Sequence, residues 1–405
     1  MSIPTGARPL RGGRHARDQS AVDDEATAGG FDRRVWRVVG DPLVPPTARG
    51  PLDGMALAVS DMVAVAGQRR GLGHPVRVAT SAPETDHAPV VASLLAAGAS
   101  VRGIAQIDEL GNALTGTNPH VGATTNPRAP DRLAGGANCG AAAAVALGHA
   151  QVGLGTDTVG CLRVPAAYQG LWSMRPTQGV VDASGATNLS PSFDTVGWVT
   201  AGVESLARVG ATLLPADVAT VSGLVVDPAI LAAADDQVRE VLDPAMVGLE
   251  HWDSGLLATD AALHAFQTVV AAEAWQVHGR WVEEHADAIG ADVGARFRHA
   301  ASVDPVWTRR STEQVAEWRH LIRTALAEQV LVVPTAPTVA PLVRDADHLP
   351  ALRRATIRLT CLAGLGGLPT VSVPLSTTAG VPVGLSLVGP AGSDLALLDL
   401  AAALA

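Results

Sequence analysis

The sequence predicts an α/β fold with a largely parallel sheet. Segments of strand and helix character alternate early in the chain: Met55–Ala66 is apolar, small and rich in β-branched Val, Thr85–Ala97 has amphipathic helical spacing, and Val101–Ile104 is strand-like again. This βαβ rhythm favours parallel pairing, because a helical crossover brings the chain back to pair in the same direction. Composition agrees: 405 residues, 47% hydrophobic, with a formal net charge of −10, suit a large soluble α/β chain and argue against non-specific binding to nucleic acid or membrane. The third observation is a Gly/Ala-rich run from Ala134 to Pro176, which marks a place where backbone passes close to backbone or to a ligand.

Taken in order, residues 1–30 mix Arg, Asp, Gly, Ala and Ser with almost no large apolar group, so a disordered tail is expected there. Phe31–Val39 alternates as a short strand or helix, and the Pro-rich Asp41–Pro51 reads as a connection. Met55–Ala66 places Ser60 in mid-strand with Asp61 beside it; Thr85 is the candidate N-cap of the following helix and Gly98 its stop. Cys139–His149 is a small, apolar interior helix, Gln151–Asp157 a short buried strand, and Thr158–Cys161 a turn of small residues. Further on, GLVVD ending at Asp227 is a strand and Pro228 opens a helix at its favoured first-turn place. Thr259–His285 is a long apolar-periodic helix with Thr259 as cap, and Thr312–Glu328 is another. Val330–Pro334, Val371–Pro374 and Val383–Leu387 are short strands, with a helix over Ala351–Leu362. There is no internal repeat and no linker after residue 52, so 31–405 is expected to form one domain.

The turn at 158–161 carries the chemistry. Gly135 and Gly136 permit a tight entry to the preceding helix, and a nucleophile on the turn would sit near backbone N–H groups able to hold an oxyanion. Cys161 occupies that place. The three cysteines are an odd number without regular spacing, which excludes a disulfide framework, and neither C-x-x-C nor H-x-x-x-H occurs, so no metal site is expected from Cys139, Cys161 and a histidine. His149 lies about 15 Å along the helix from its start, too far to assist there. Cys361, within an apolar helix, is expected to be an inert core thiol. No apolar run of about 18 residues occurs, so no spanning helix is expected, and a cytoplasmic location is expected because the N-terminal stretch lacks a signal-type apolar core. The bias toward Ala, Gly and Arg over Lys is what high-GC coding produces, so a high-GC bacterial source is expected.

The run AGGANCGAAAAVALG, then LGTDTVGCLRVPAA, then RPTQG resembles the amidase signature, the motif of the Ser-cisSer-Lys amide hydrolases. GMALAVSDMVAVAG, TNPHVGATTNP, SPSFDTVGW, GLPTVSVPL and PVGLSLVGPAGSD are family-like as well, so the resemblance spans the chain from about residue 35 onward and is nearest to the indole-acetamide-type amidases. It implies the amidase-signature fold, a large mixed and mostly parallel central sheet covered by helices on both faces. A signature core over about 52–215, a variable pocket region over 216–328 and a C-terminal core segment over 329–405 would follow. The resemblance further implies a small-molecule substrate, no cofactor and a possible homodimer.

Carried over position by position, the family's lysine falls on Ser60, its cis-serine on Ala137 and its nucleophilic serine on Cys161. All three differ. The chain contains no lysine, so all 29 basic residues are arginine, which cannot give up its proton to act as a base. A buried Ser60 hydroxyl is expected to be satisfied by neighbouring backbone. The oxyanion wall would comprise Gly136, Asn138, Thr158, Val159 and Gly160, with Asp157 and Arg163 as structural support; Val159 stands where the family has Gly, and a β-branched residue there cannot adopt φ > 0 cheaply. His120, in its loop, and Trp275, with His278 and Trp281, are candidates to line the pocket. Asp108 and Glu109 fall where the family's acid is structural. Two readings remain: a binding or scaffold protein that has lost its triad, or an acyl-transfer or cyclisation enzyme using Cys161, because a thiol with its ordinary pKa of about 8.5 tolerates loss of a base better than a serine does.

Overall fold

The computed structural model describes residues 31–252, 260–345 and 349–405; the tail expected at 1–30 and the cap expected at Thr259 lie outside them. The chain runs β1 (Trp36–Val44), β2 (Ala56–Ser60), α1 (Pro75–Thr80), α2 (Pro89–Ala96), β3 (Ser100–Ala105), β4 (Thr117–Asn118), β5 (Gly122–Ala123), α3 (Cys139–Ala146), β6 (Val152–Asp157), α4 (Arg163–Gln169), β7 (Trp172–Arg175), β8 (Thr195–Thr200) and α5 (Val203–Leu213). It continues through β9 (Gly223–Val226), α6 (Pro228–Leu231), α7 (Asp236–Met246), β10 (Glu250–His251), α8 (Asp260–Glu284), α9 (Ala291–Ala301), α10 (Pro305–Leu326), β11 (Gln329–Pro334), α11 (Leu349–Gly366), β12 (Thr370–Ser376), β13 (Pro382–Val388) and α12 (Asp394–Ala403).

Eleven strands form one mixed sheet in the order β1-β3-β2-β6-β8-β7-β12-β13-β11-β9-β10. Parallel pairing is confined to its flanks, β3–β2–β6 on one side and β11–β9–β10 on the other. The middle, from β6 through β8, β7, β12 and β13 to β11, is antiparallel throughout, as is the β1–β3 edge. The expected parallel bias therefore holds only where helical crossovers connect neighbours. The centre instead contains short returns such as β12–β13, joined by five residues, which force antiparallel pairing.

Helices cover both faces. Trp198 and Gly197 are successive residues of β8 and so point to opposite faces. Trp198 is buried against α5, with its indole N–H donating to the Leu206 carbonyl at 3.1 Å, while a side chain on Gly197 would meet Leu162 at the entry to α4.

Several boundaries differ from expectation for local reasons. β1 extends to Val44 through Pro42, tolerated because β1 is an edge strand with an irregular register after Val39. β2 stops at Ser60, since the Asp61 carboxylate accepts the Gly71 and Gly73 N–H groups at 3.1 and 3.0 Å and turns the chain aside. Pro89, not Thr85, begins α2: Ala88 before it is extended, and Thr85 bonds Asp86 instead. Gly98, at φ +101°, follows the helix end as expected. α10 starts earlier than expected, at Pro305, capped by the Asp304 carboxylate accepting from Val306 N–H at 2.6 Å.

Candidate functional site

The site forms where β6 ends. Asp157 is its last residue, Thr158–Leu162 form the turn, and α4 begins at Arg163. Ser60 ends β2, the parallel neighbour of β6, so both lie at the C-terminal edge of the same strand pair.

Asp157 organises the turn. It is fully buried, and its carboxylate accepts from Gly160 N–H at 3.0 Å, Leu162 N–H at 3.2 Å and the Arg163 guanidinium at 2.8 and 3.0 Å, with Arg175 at 3.4 Å. Burial alone would raise its pKa; Arg163, Arg175 and the backbone N–H groups outweigh this and hold it well below the usual carboxylate range. Arg163 also donates to the Thr360 carbonyl at 3.1 Å, and Arg175 to the Phe193 carbonyl at 2.8 Å. The turn is thereby tied to α11 and to the segment before β8.

Gly160, at φ +107°, supplies the left-handed residue the turn requires. Val159 has no positive φ, so the strain expected at this position does not arise; its carbonyl accepts the Thr360 hydroxyl at 2.6 Å and its side chain faces the cavity described below. The Thr158 hydroxyl is committed to Asp194 at 2.5 Å.

The second wall is the loop before α3. The Gly136–Ala137 peptide is cis, and a Cβ on Gly136 would collide with the Asp108 carboxylate. Asn138 locks this loop to the turn: its backbone N–H and its Nδ2 both donate to the Cys161 carbonyl at 3.1 Å, and Nδ2 also donates to the Thr156 carbonyl at 2.7 Å. Ala137, Val159 and Cys161 thus share one apolar cluster with Leu114, Phe266 and Ile357. Burial pushes the Cys161 thiol up, Asp157 adds to this, and the backbone N–H groups of Ala137, Val159 and Thr158 pull the other way without prevailing. Burial likewise raises Cys139, and Cys361 is pushed up to about 12.

Ser60 is fully buried, and its hydroxyl has no hydrogen-bond partner among the described residues. This corrects the expectation that backbone satisfies it: the Ala105 and Ser60 carbonyls accept the Asp61 and Val63 N–H groups at 3.0 and 2.9 Å instead. Asp108 is also fully buried, accepting Thr115 and Gly116 N–H at 3.2 and 3.1 Å with its other oxygen unpartnered among the described residues, and burial raises its pKa to about 6.

A cavity of about 460 Å³ lies over Val159. Leu114, Phe266, Val270 and Ile357 give it apolar walls, and Arg296 of α9 and Arg353 of α11 give it charge. Neither His120 nor Trp275 lines it. His120 Nε2 is 2.7 Å from Glu109 Oε1, while Trp275 sits on the neighbouring face of α8, packed over Gly279 and the main core. His278 bonds the Asn188 carbonyl at 3.0 Å, and burial lowers its pKa to about 4. The two cavity arginines escaped sequence reasoning, because an arginine turned inward on a helix has the same local pattern as one turned outward.

His74, Glu109 and His120 have ligand-capable atoms within 4.8 Å of one another. His74 Nδ1 accepts the Val76 N–H at 3.2 Å, which puts the proton on Nε2, where it donates to the Ala288 carbonyl at 3.0 Å. As arranged, the cluster is a hydrogen-bonded clamp on the segment before α9, reinforced by Gly290 N–H donating to Glu109 at 3.0 Å. To hold a metal, His74 would have to release Ala288 from Nε2 or the Val76 N–H from Nδ1.

An eleven-stranded mixed sheet covered by helices, with a strand-turn-helix turn beneath a cavity, makes this an α/β protein with its candidate site at a strand end. It belongs to the amidase family: the Amidase family model matches residues 44–273 and 290–398. Amidase 1 of Oryza sativa subsp. japonica is 32% identical, the match covering 88% of this chain and 91% of that protein. Amidase 1 of Arabidopsis thaliana is 30% identical, over 94% of this chain and 99% of that protein. A crystal structure of an amidase superposes with a TM-score of 0.80 at 26% identity, covering 92% of each chain. No described helix is long and apolar enough to cross a membrane.

Proposed function

We propose that this amidase-family chain keeps the family's small-molecule pocket but does not run Ser-cisSer-Lys amide hydrolysis. The observation that supports this best is the packing of Ala137, Val159 and Cys161 in one apolar cluster, with burial raising the thiol. At the three positions the resemblance assigns to the triad stand an unpartnered serine hydroxyl, a methyl group and a protonated thiol. None can take the proton of an attacking hydroxyl or return one to a departing amine at neutral pH. The pocket itself persists, because Asp157 and Asn138 hold the turn.

The second reading is acyl transfer through Cys161. It is favoured by the backbone N–H groups of Ala137, Val159 and Thr158, which pull the Cys161 thiol down and would support a thiolate. Ammonia release from aliphatic and aryl primary amides, by the purified protein and by Cys161→Ala, tests both. The binding reading expects no release from either. Turnover lost in Cys161→Ala would replace it with the cysteine reading, and turnover that survives the substitution would refute both.

A further inference from the structure

Resting on the pocket reading above, we infer that the cavity over Val159 binds a small carboxylate carrying an apolar body, its carboxylate held between Arg353 and Arg296. Both guanidinium groups enter the same cavity from different helices, α11 and α9. Neither has its donors filled among the described residues. Arg353 makes one long bond, from Nη2 to Asn112 Oδ1 at 3.5 Å, and its buried Nη1 has no partner. Arg296 reaches Asp292 at 3.5 Å through Nη1, and its buried Nε has no partner.

Bringing two cations together in a largely apolar cavity is unfavourable unless an anion joins them. The lining offers one carboxylate, Asp292, against the two arginines. Asp108 feels both positive charges but does not line the cavity, and its bonds go to the Thr115 and Gly116 N–H groups. Burial, and then the charge of Arg296, lower the Arg353 pKa to about 10, so it remains a cation at neutral pH. Planar guanidinium donors match a carboxylate bidentately. Asn112, Thr115, Gln267 and His299 add polar groups to the lining, while Leu114, Phe266, Val270 and Ile357 supply the apolar wall against which an apolar body of the ligand would pack. A neutral amide would satisfy the shape but leave one of the two guanidinium charges without a counter-charge in the lining.

Titration calorimetry with 3-phenylpropanoate, its primary amide and inorganic phosphate, on the wild-type chain, Arg353→Gln and Arg296→Gln, tests the inference. We expect the carboxylate to bind at least about tenfold more tightly than the amide and to lose about ten- to a hundredfold in either variant, with the weak amide binding unchanged. Equal affinity for carboxylate and amide, or carboxylate binding unaffected by both substitutions, would overturn the inference and leave the pocket reading intact. Phosphate binding as tight as the carboxylate's would overturn the apolar-body assignment, and binding of none of the three would overturn the inference and the pocket reading together. Thermal melts accompany each variant; Arg296, on the partly exposed α9, keeps the test valid should Arg353→Gln fail to fold.

Discussion

Asn138 and Cys161 are joined twice: the backbone N–H and the side-chain amide of Asn138 both donate to the Cys161 carbonyl at 3.1 Å. The two walls of the site, far apart in sequence, are fixed to each other by this one residue. Asn138→Ala removes two buried side-chain bonds and takes a donor from the Cys161 and Thr156 carbonyls. A loss of about 1–3 kcal/mol is expected, measured by chemical denaturation. No change in midpoint would show that the walls are held by other contacts.

Asp157 lies between two buried arginines. Asp157→Asn strands both cations, and a loss of about 3–5 kcal/mol is expected, because an uncompensated buried charge remains. The depressed pKa gives a second signature. In wild type the contribution of Asp157 is complete above the unfolded carboxyl value of about 4 and is lost as pH falls through its lower folded value. A folded Asp157→Asn protein has no such contribution to lose, so its melting temperature should fall less steeply with pH on the acid side. Equally steep acid limbs in the two proteins would contradict the assignment.

Asp194 behaves in the opposite sense. Burial raises its pKa to about 7, so its contribution to stability is complete below about pH 4 and is lost as pH rises through about 7. Melting temperatures of wild type should therefore decline over that interval on this group's account, and Asp194→Asn should flatten the decline. An identical slope in both proteins would show that Asp194 keeps an ordinary pKa.

Ser60→Ala removes a buried hydroxyl that has no partner among the described residues. Stability should stay level or rise by up to about 1–2 kcal/mol, since nothing is lost but the cost of desolvating the hydroxyl. A marked loss of stability in urea denaturation would show that Ser60 does bond within the folded protein.

Much of the framework was legible in the sequence. β6, β11, β12 and β13 lie within a residue or two of expectation, because short apolar runs bounded by turn residues admit little else. The turn at 158–161 and the buried place of Cys361 in its helix were equally plain. What escaped was set by tertiary contact. α4 follows the turn although Pro165 interrupts its pattern, since Asp157 accepts the Leu162 and Arg163 N–H groups and starts the helix from outside. The cavity charge comes from Arg296 and Arg353, which only the packing of α9 and α11 brings together. The His74–Glu109–His120 cluster likewise draws on separate segments and has no local spacing to announce it.

Under the proposal above, Cys161 lies unactivated on the turn after β6. Intact-mass measurement after thiol alkylation across pH, with peptide mapping to separate Cys161 from Cys139 and Cys361, tests it most directly. The account predicts that Cys161 stays unmodified at neutral pH and reacts only above the ordinary thiol value of about 8.5. Selective alkylation of Cys161 well below that value would reveal an activated thiolate and contradict it.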